Sequence, residues 1–82
     1  MALMPRFYFH LHNDLDVRDH EGHELPDLDA AREWARDQAR QYFAQVVKDD
    51  GLVALHHRID IENEKGEVLE SFKFADVVKI ER

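Results

Sequence analysis

The sequence predicts an α+β fold, an antiparallel sheet of three to four strands with one helix packed across one face, in the order β-β-α-β-β. Three observations predict it. Residues 6–12 alternate with a period of two, residues 28–48 repeat apolar side chains at three- and four-residue steps, and two further alternating segments flank a turn at residues 63–66. A helix with one apolar stripe and a run of half-buried strands bury each other most simply when the helix lies on one sheet face.

In the first strand Phe7, Phe9 and Leu11 point one way, and Arg6, Tyr8, His10 and His12 the other. Alternation with aromatics marks a half-buried strand, and Pro5 suits a strand's first residue. Asn13 and Asp14 favour a turn through local backbone bonds. Leu15 and Val17 alternate with Asp16 and Arg18 and predict a short returning strand. Residues 19–26 read as turn and loop. The helix opens at Asp27, whose carboxylate can accept first-turn amides, and Asp29 complements the helix dipole. Leu28, Ala31, Ala35, Ala39, Tyr42 and Val46 share one stripe, with Phe43 beside it. Small residues come first and large ones last, so the first half is expected to approach the sheet closely. Asp29 with Arg32, Glu33 with Arg36 and Asp37 with Arg40 are expected as i,i+3 pairs on the outer side. Gly51 closes the helix as a left-handed cap. Val53, Leu55, His57, Ile59 and Ile61 then predict a second strong strand. Asn63-Glu64-Lys65-Gly66 forms a hairpin turn. Val68, Phe72 and Phe74 alternate in the returning strand, with Glu70 breaking the pattern. The tail, residues 77–80, fits either an extra strand or one helical turn. The expected core is Phe7, Phe9, Leu11, Leu28, Ala31, Ala35, Ala39, Tyr42, Val46, Leu55, Ile59, Ile61, Phe72 and Phe74.

Eighty-two residues make a single domain, 1–82, with residues 1–4 and 81–82 as loose ends. Met4-Pro5-Arg6 reads as an alternative start. A chain this short buries a modest share of its surface. It has no cysteine, hence no disulfide and no thiolate metal site. The net charge of −7 argues against nucleic acid, which demands a positive field, and against an anionic membrane. No apolar run approaches the roughly 20 residues that span a bilayer, and the opening residues lack the pattern of a signal peptide. The expected location is the cytoplasm.

Candidate chemistry is sparse. His10 and His12 leave the same face of one strand, and zinc binding follows if a third ligand converges; His56 is the candidate third ligand, with Asp14 as an alternative. The commoner reading is two polar residues on an open sheet face. His20-Glu21-Gly22-His23-Glu24 has its second histidine one position too early for a zincin and precedes the helix. The acids from Asp14 to Asp29 fit no EF-hand register, because Arg18 falls on a ligand position from either start. Arg32, Arg36 and Arg40 form a stripe whose field is offset by neighbouring acids. Trp34 sits on the flank of the apolar stripe, where it either laps over the sheet edge or serves as a partner anchor. Tyr8, on the open face, is the second interaction candidate. His57 is expected as a core histidine with a hydrogen bond. Ser71 is the only serine and there is no threonine, so no serine triad is assembled; no glycine-rich phosphate loop exists. No catalytic residue and no cofactor are assigned.

Three stretches together carry a resemblance: the opening Met4-Pro5-Arg6-Phe7-Tyr8-Phe9-His10; the run Glu21-Gly22-His23-Glu24-Leu25-Pro26-Asp27-Leu28 leading into an alanine-rich helix; and the late strand, Asn-Glu-Lys-Gly turn and returning strand. Over residues 4–75 the chain resembles a family of small proteins of unknown function found mostly in alphaproteobacteria. The resemblance implies a cytoplasmic bacterial stand-alone domain and no activity. A fold-level likeness runs to the small sheet domain of HicB-type antitoxins, without its glycine-rich approach to the helix. The leading expectation is a non-enzymatic protein-interaction or homodimerising module. The alternatives are a metal-binding domain using His10, His12 and His56, and an antitoxin-like regulator.

Overall fold

Alternation decides which side of each strand meets the helix, and the computed structural model, which describes residues 4–12, 16–79 and 81, carries that rule through the sheet. Strand β1 is Arg6–His12, β4 is Arg58–Glu62 and β5 is Val68–Lys73. They run antiparallel in the order β1-β4-β5. Phe9 stands opposite Ile61 and Leu11 opposite Ile59, while Ile59 also faces Phe72. Cross-strand partners share a face, so these aromatic and branched side chains form one apolar floor. Tyr8 opposite Glu62, His10 opposite Asp60 and His12 opposite Arg58 form the other face.

Two short strands, β2 at Asp16–Val17 and β3 at His23–Glu24, pair with β1 near its two ends. The sheet therefore has five strands, with β5 as its far edge. β2 is the predicted returning strand. β3 was expected as loop. The turn predicted at Asn13 and Asp14, and Leu15 beside it, lie outside the described residues, as do residues 1–3, Ile80 and Arg82.

Helix α1 spans Leu28–Asp50. The Asp27 carboxylate accepts from the Ala30 amide at 2.8 Å, and the Gly51 amide returns to the Val47 carbonyl at 3.0 Å with Gly51 at φ 62°. Ala31 and Ala35 are 0% exposed and Ala39 is buried with them. A stripe of methyl groups lets the backbone settle directly on the floor of Phe7, Phe9, Ile59, Ile61 and Phe72. Farther along the helix the larger Tyr42 and Phe43 pack against the same core but stay half-buried. The cause is length. Twenty-three helical residues reach about 34 Å, whereas the five residues of β4 cover about 17 Å. The helix is therefore about twice the length of the strand it crosses.

The predicted strand over 53–61 is real only from Arg58. Leu52 and Val53 are exposed, Ala54 and His57 are buried, and the segment is irregular. Pairing partners explain this: both neighbours end where β4 begins, His12 and Lys73 each standing opposite Arg58. Beyond that point the chain meets α2, a single turn at Phe74–Val77. The Phe74 amide donates to the His57 carbonyl at 2.8 Å and the Ala75 amide to the Leu55 carbonyl at 3.3 Å. Of the tail expected over 77–80 only Val77 belongs to this turn; Val78 and Lys79 lie in neither helix nor strand. Phe74, 0% exposed, and Val77 plug the space under Tyr42.

Glu70, the break in the β5 pattern, keeps the regular alternation with Phe72, and a bulge follows it. The register shifts between Ile61 and Glu62, so Glu70 faces Ile61 and Val68 faces Glu62, with Leu69 as the extra residue. Glu70 shares the helix side with Phe72 and Ile61 and binds the Arg32 guanidinium there.

Candidate functional site

The two flanks of α1 are finished differently. On the flank toward β5, Arg32 binds both Glu70 and Asp29, Arg36 lies over the Phe72 ring at 5.2 Å, and Arg40 Nε donates to the Val77 carbonyl at 2.8 Å. Only the Asp29–Arg32 member of the three expected i,i+3 pairs forms. Arg36 and Arg40 reach across to β5 and α2, where an aromatic face and a free carbonyl are better fixed partners than an exposed carboxylate on the same helix.

The opposite flank carries Trp34, Gln38, Gln41 and Gln45. Between it and β1 runs a groove of about 460 Å³, floored by Phe9, Leu11, Ala39 and Ile59 and flanked by Trp34 and Tyr42. Trp34 closes one end. Its ring lies 4.5 Å from His23 and 6.3 Å from Phe9, so it laps over the sheet edge while leaving one side to the groove. Trp34, Leu11 and Tyr42 are all half-buried. Gln41 and Gln45 each donate to a carboxylate one turn away, Asp37 at 2.8 Å and Asp49 at 2.6 Å. No lysine or arginine is among the described residues that line the groove.

Asp19 supports the far wall. Between β2 and β3 the middle of β1 has no strand on its outer edge, and the Asp19 carboxylate takes that place. It accepts from the Phe9 amide at 3.2 Å and from those of Glu21 and Gly22 at 3.1 and 3.0 Å. Burial by itself would raise this carboxyl; the amides of Gly22, Phe9 and Glu21, with the nearby His23, outweigh it and hold Asp19 below its ordinary value of 3.8. Gly22 makes the loop possible. It sits at φ 70°, and a Cβ there would come within 2.8 Å of the Phe7 carbonyl oxygen. Arg6 ties down the same loop through the Glu21 carbonyl at 2.6 Å and the Glu24 carboxylate at 2.9 Å.

The face away from the helix is a self-satisfied polar layer. His10, 4% exposed, accepts from the Asp19 amide at Nδ1, 3.0 Å, and meets Glu62 at Nε2, 3.1 Å. With Nδ1 accepting, Nε2 is the nitrogen that faces the Glu62 carboxylate as donor. His12 stands between two carboxylates, Asp16 at 2.9 Å and Asp60 at 2.8 Å. Asp60, 6% exposed, also accepts from Ser71 and Arg58. Tyr8 stacks beside His10 with ring centroids 6.5 Å apart. His56 lies in the irregular segment before β4, edge-on to His57 at 4.6 Å. Among the described residues no group of three or more histidine, aspartate or glutamate side chains could hold a metal ion. The structure brings His10 and His12 onto one face, as the spacing predicts, and pairs each with carboxylates from neighbouring strands; Asp14 lies outside the described residues.

A family model, DUF6894, a domain of unknown function, matches residues 6–75. The chain belongs to that family. No curated protein and no solved structure matches it. Every residue lining the groove of this DUF6894 domain falls inside the matched span. Among its described residues no helix is long and apolar enough to cross a membrane.

Sequence reasoning picked out Trp34 but not the groove. The missing signal was Gln38, Gln41 and Gln45, which follow Trp34 at helical spacing on one flank. Asp19 was also missed, although an aspartate three residues before a glycine is a turn signature.

Proposed function

We propose that this DUF6894 domain is a non-catalytic protein-interaction module of the bacterial cytoplasm, docking its partner in the groove between the glutamine flank of α1 and β1. The observation that carries the reading is the contrast across one helix. On the arginine flank side chains span from helix to sheet and close the core. On the glutamine flank Trp34 laps over the sheet at one end, Gln41 and Gln45 bond back to their own helix, and the groove leaves Leu11, Trp34 and Tyr42 half-buried. Apolar clefts rimmed by hydrogen-bonding groups are common binding surfaces. A non-catalytic role is supported by the polar face, where the Ser71 hydroxyl is spent on Asp60 and both His10 and His12 are engaged on both ring nitrogens.

The test is site-specific photocrosslinking in cells, with a benzophenone side chain at Gln41 or, as control, at exposed Glu33. The expected result is a discrete protein adduct from position 41, absent from position 33 and lost when Gln38→Trp fills the groove. Identical adducts from both positions, or none from either, would overturn the proposal. An adduct of twice the chain mass would identify a second copy as the occupant.

A further inference from the structure

Resting on that reading, we infer that the groove takes a basic amphipathic segment, with an apolar anchor for the floor and lysine or arginine for the rim. The apolar half follows from Phe9, Leu11, Trp34, Tyr42 and Ile59. The basic half follows from charge. Asp19 lines the wall, and the Gln41 and Gln45 amides hold Asp37 and Asp49 at the helix rim. Among the described residues that line the groove there is no lysine or arginine. Arg32, Arg36 and Arg40 are committed to the other flank, Arg18 to Glu62, and Arg6 to Glu24. A partner's cation meets carboxylates held here by amides, with no lysine or arginine among the described groove residues, and the whole-chain charge of −7 steers the same kind of ligand inward. A second copy of this chain brings another −7 and is disfavoured for the same reason.

The experiment pans a random peptide library displayed on phage against the full chain at low ionic strength. Recovered peptides are titrated while following the fluorescence of Trp34, the chain's sole tryptophan. The expected sequences combine a large apolar residue with at least a threefold enrichment in lysine and arginine over the input, an order-of-magnitude expectation for electrostatic selection. Their affinity should fall about tenfold with Gln41→Arg or Gln45→Arg, fall about tenfold on raising salt to physiological strength, and stay within about twofold with Glu33→Arg on the solvent face. Peptides that shift Trp34 and respond to Gln38→Trp yet show no basic enrichment would overturn the charge inference and leave the groove reading standing. Recovery of no peptide, or only of peptides indifferent to Gln38→Trp, would overturn the groove reading itself.

Discussion

The arginine and glutamine flanks of α1 share a helix, a floor and a spacing, yet one is closed and the other open. Side-chain reach accounts for much of the difference. A guanidinium on a long stem can leave its own helix, lay its methylenes on apolar surface and end on a carbonyl or a ring of the next element. Arg36 and Arg40 do this with Phe72 and Val77. Glutamine is shorter and uncharged, and Gln41 and Gln45 spend their amides one turn away on Asp37 and Asp49. Polar residues on a helix surface are thus not equivalent covers. Which of them bridge to the sheet decides where the core ends.

The largest expected effect tests whether the closed flank carries the stability. Phe74→Ala removes a fully buried ring that α2 packs under Tyr42, and about 3–5 kcal/mol of unfolding free energy should be lost. Trp34→Ala, on the open flank and half-buried, should cost about half as much. Urea denaturation of the two variants measures both. Equal losses would mean that the flanks are energetically alike and that the contrast is only one of shape.

Asp19 is the fixed point of the open side, and its charge is the next largest effect. Asp19→Asn keeps the shape but removes the charge and one of the two acceptor oxygens that serve the Phe9, Glu21 and Gly22 amides, costing about 1.5–3 kcal/mol at neutral pH. The pH dependence has a definite sign. The folded carboxyl lies below its ordinary value, so the unfolded chain binds the proton more readily. The Asp19 contribution is then complete above the unfolded value near 3.8 and is lost as pH falls through the lower folded value. Wild type should lose stability below about pH 4 more steeply than Asp19→Asn, in melts recorded across the acid range. Parallel acid limbs would show that the three amides do not hold a charged group.

How much of this was legible follows from the range of each signal. Local signals were read correctly: the period of two in β1, the cap at Asp27, the closure at Gly51 and the graded apolar stripe. The errors arise where a distant partner decides. Alternation from Val53 to His57 is as good as that from Ile59 to Ile61, but strand pairing ends at Arg58 because β1 and β5 end there. The same blindness placed Arg36 and Arg40 on their helical neighbours. For His10 and His12 the shared face was legible, and so, in principle, were their partners, because Asp60 and Glu62 alternate with the core residues Ile59 and Ile61.

A smaller effect exchanges the character of the flanks. Arg40→Gln shortens the arm that reaches the Val77 carbonyl and should cost about 0.5–1.5 kcal/mol. Gln41→Arg on the open flank should change stability by less than about 0.5 kcal/mol, since the new guanidinium meets only exposed Asp37. Thermal unfolding of the pair reads the difference. A larger loss from Gln41→Arg than from Arg40→Gln would reverse the assignment of which flank is structural.

The smallest effect has the opposite sign and separates closure by packing from closure by polar bonds. His57 lies at the α2 end of the core, 4% exposed, with its ring 5.6 Å from that of Phe74. Its backbone carbonyl is used by the Phe74 amide, but neither ring nitrogen has a hydrogen-bond partner among the described residues. The hydrogen bond expected from the sequence is absent, because the surroundings supplied by Phe74 and the neighbouring His56 ring are aromatic faces rather than acceptors. A buried polar group without a partner has lost its water and gained nothing in exchange. His57→Leu removes that penalty at similar volume and should leave stability unchanged or raise it by up to about 1 kcal/mol. The gain should appear as a higher urea midpoint at constant slope. A loss of more than about 1 kcal/mol would show that an imidazole nitrogen is bonded in solution, and that this end of the core is held by a polar contact after all.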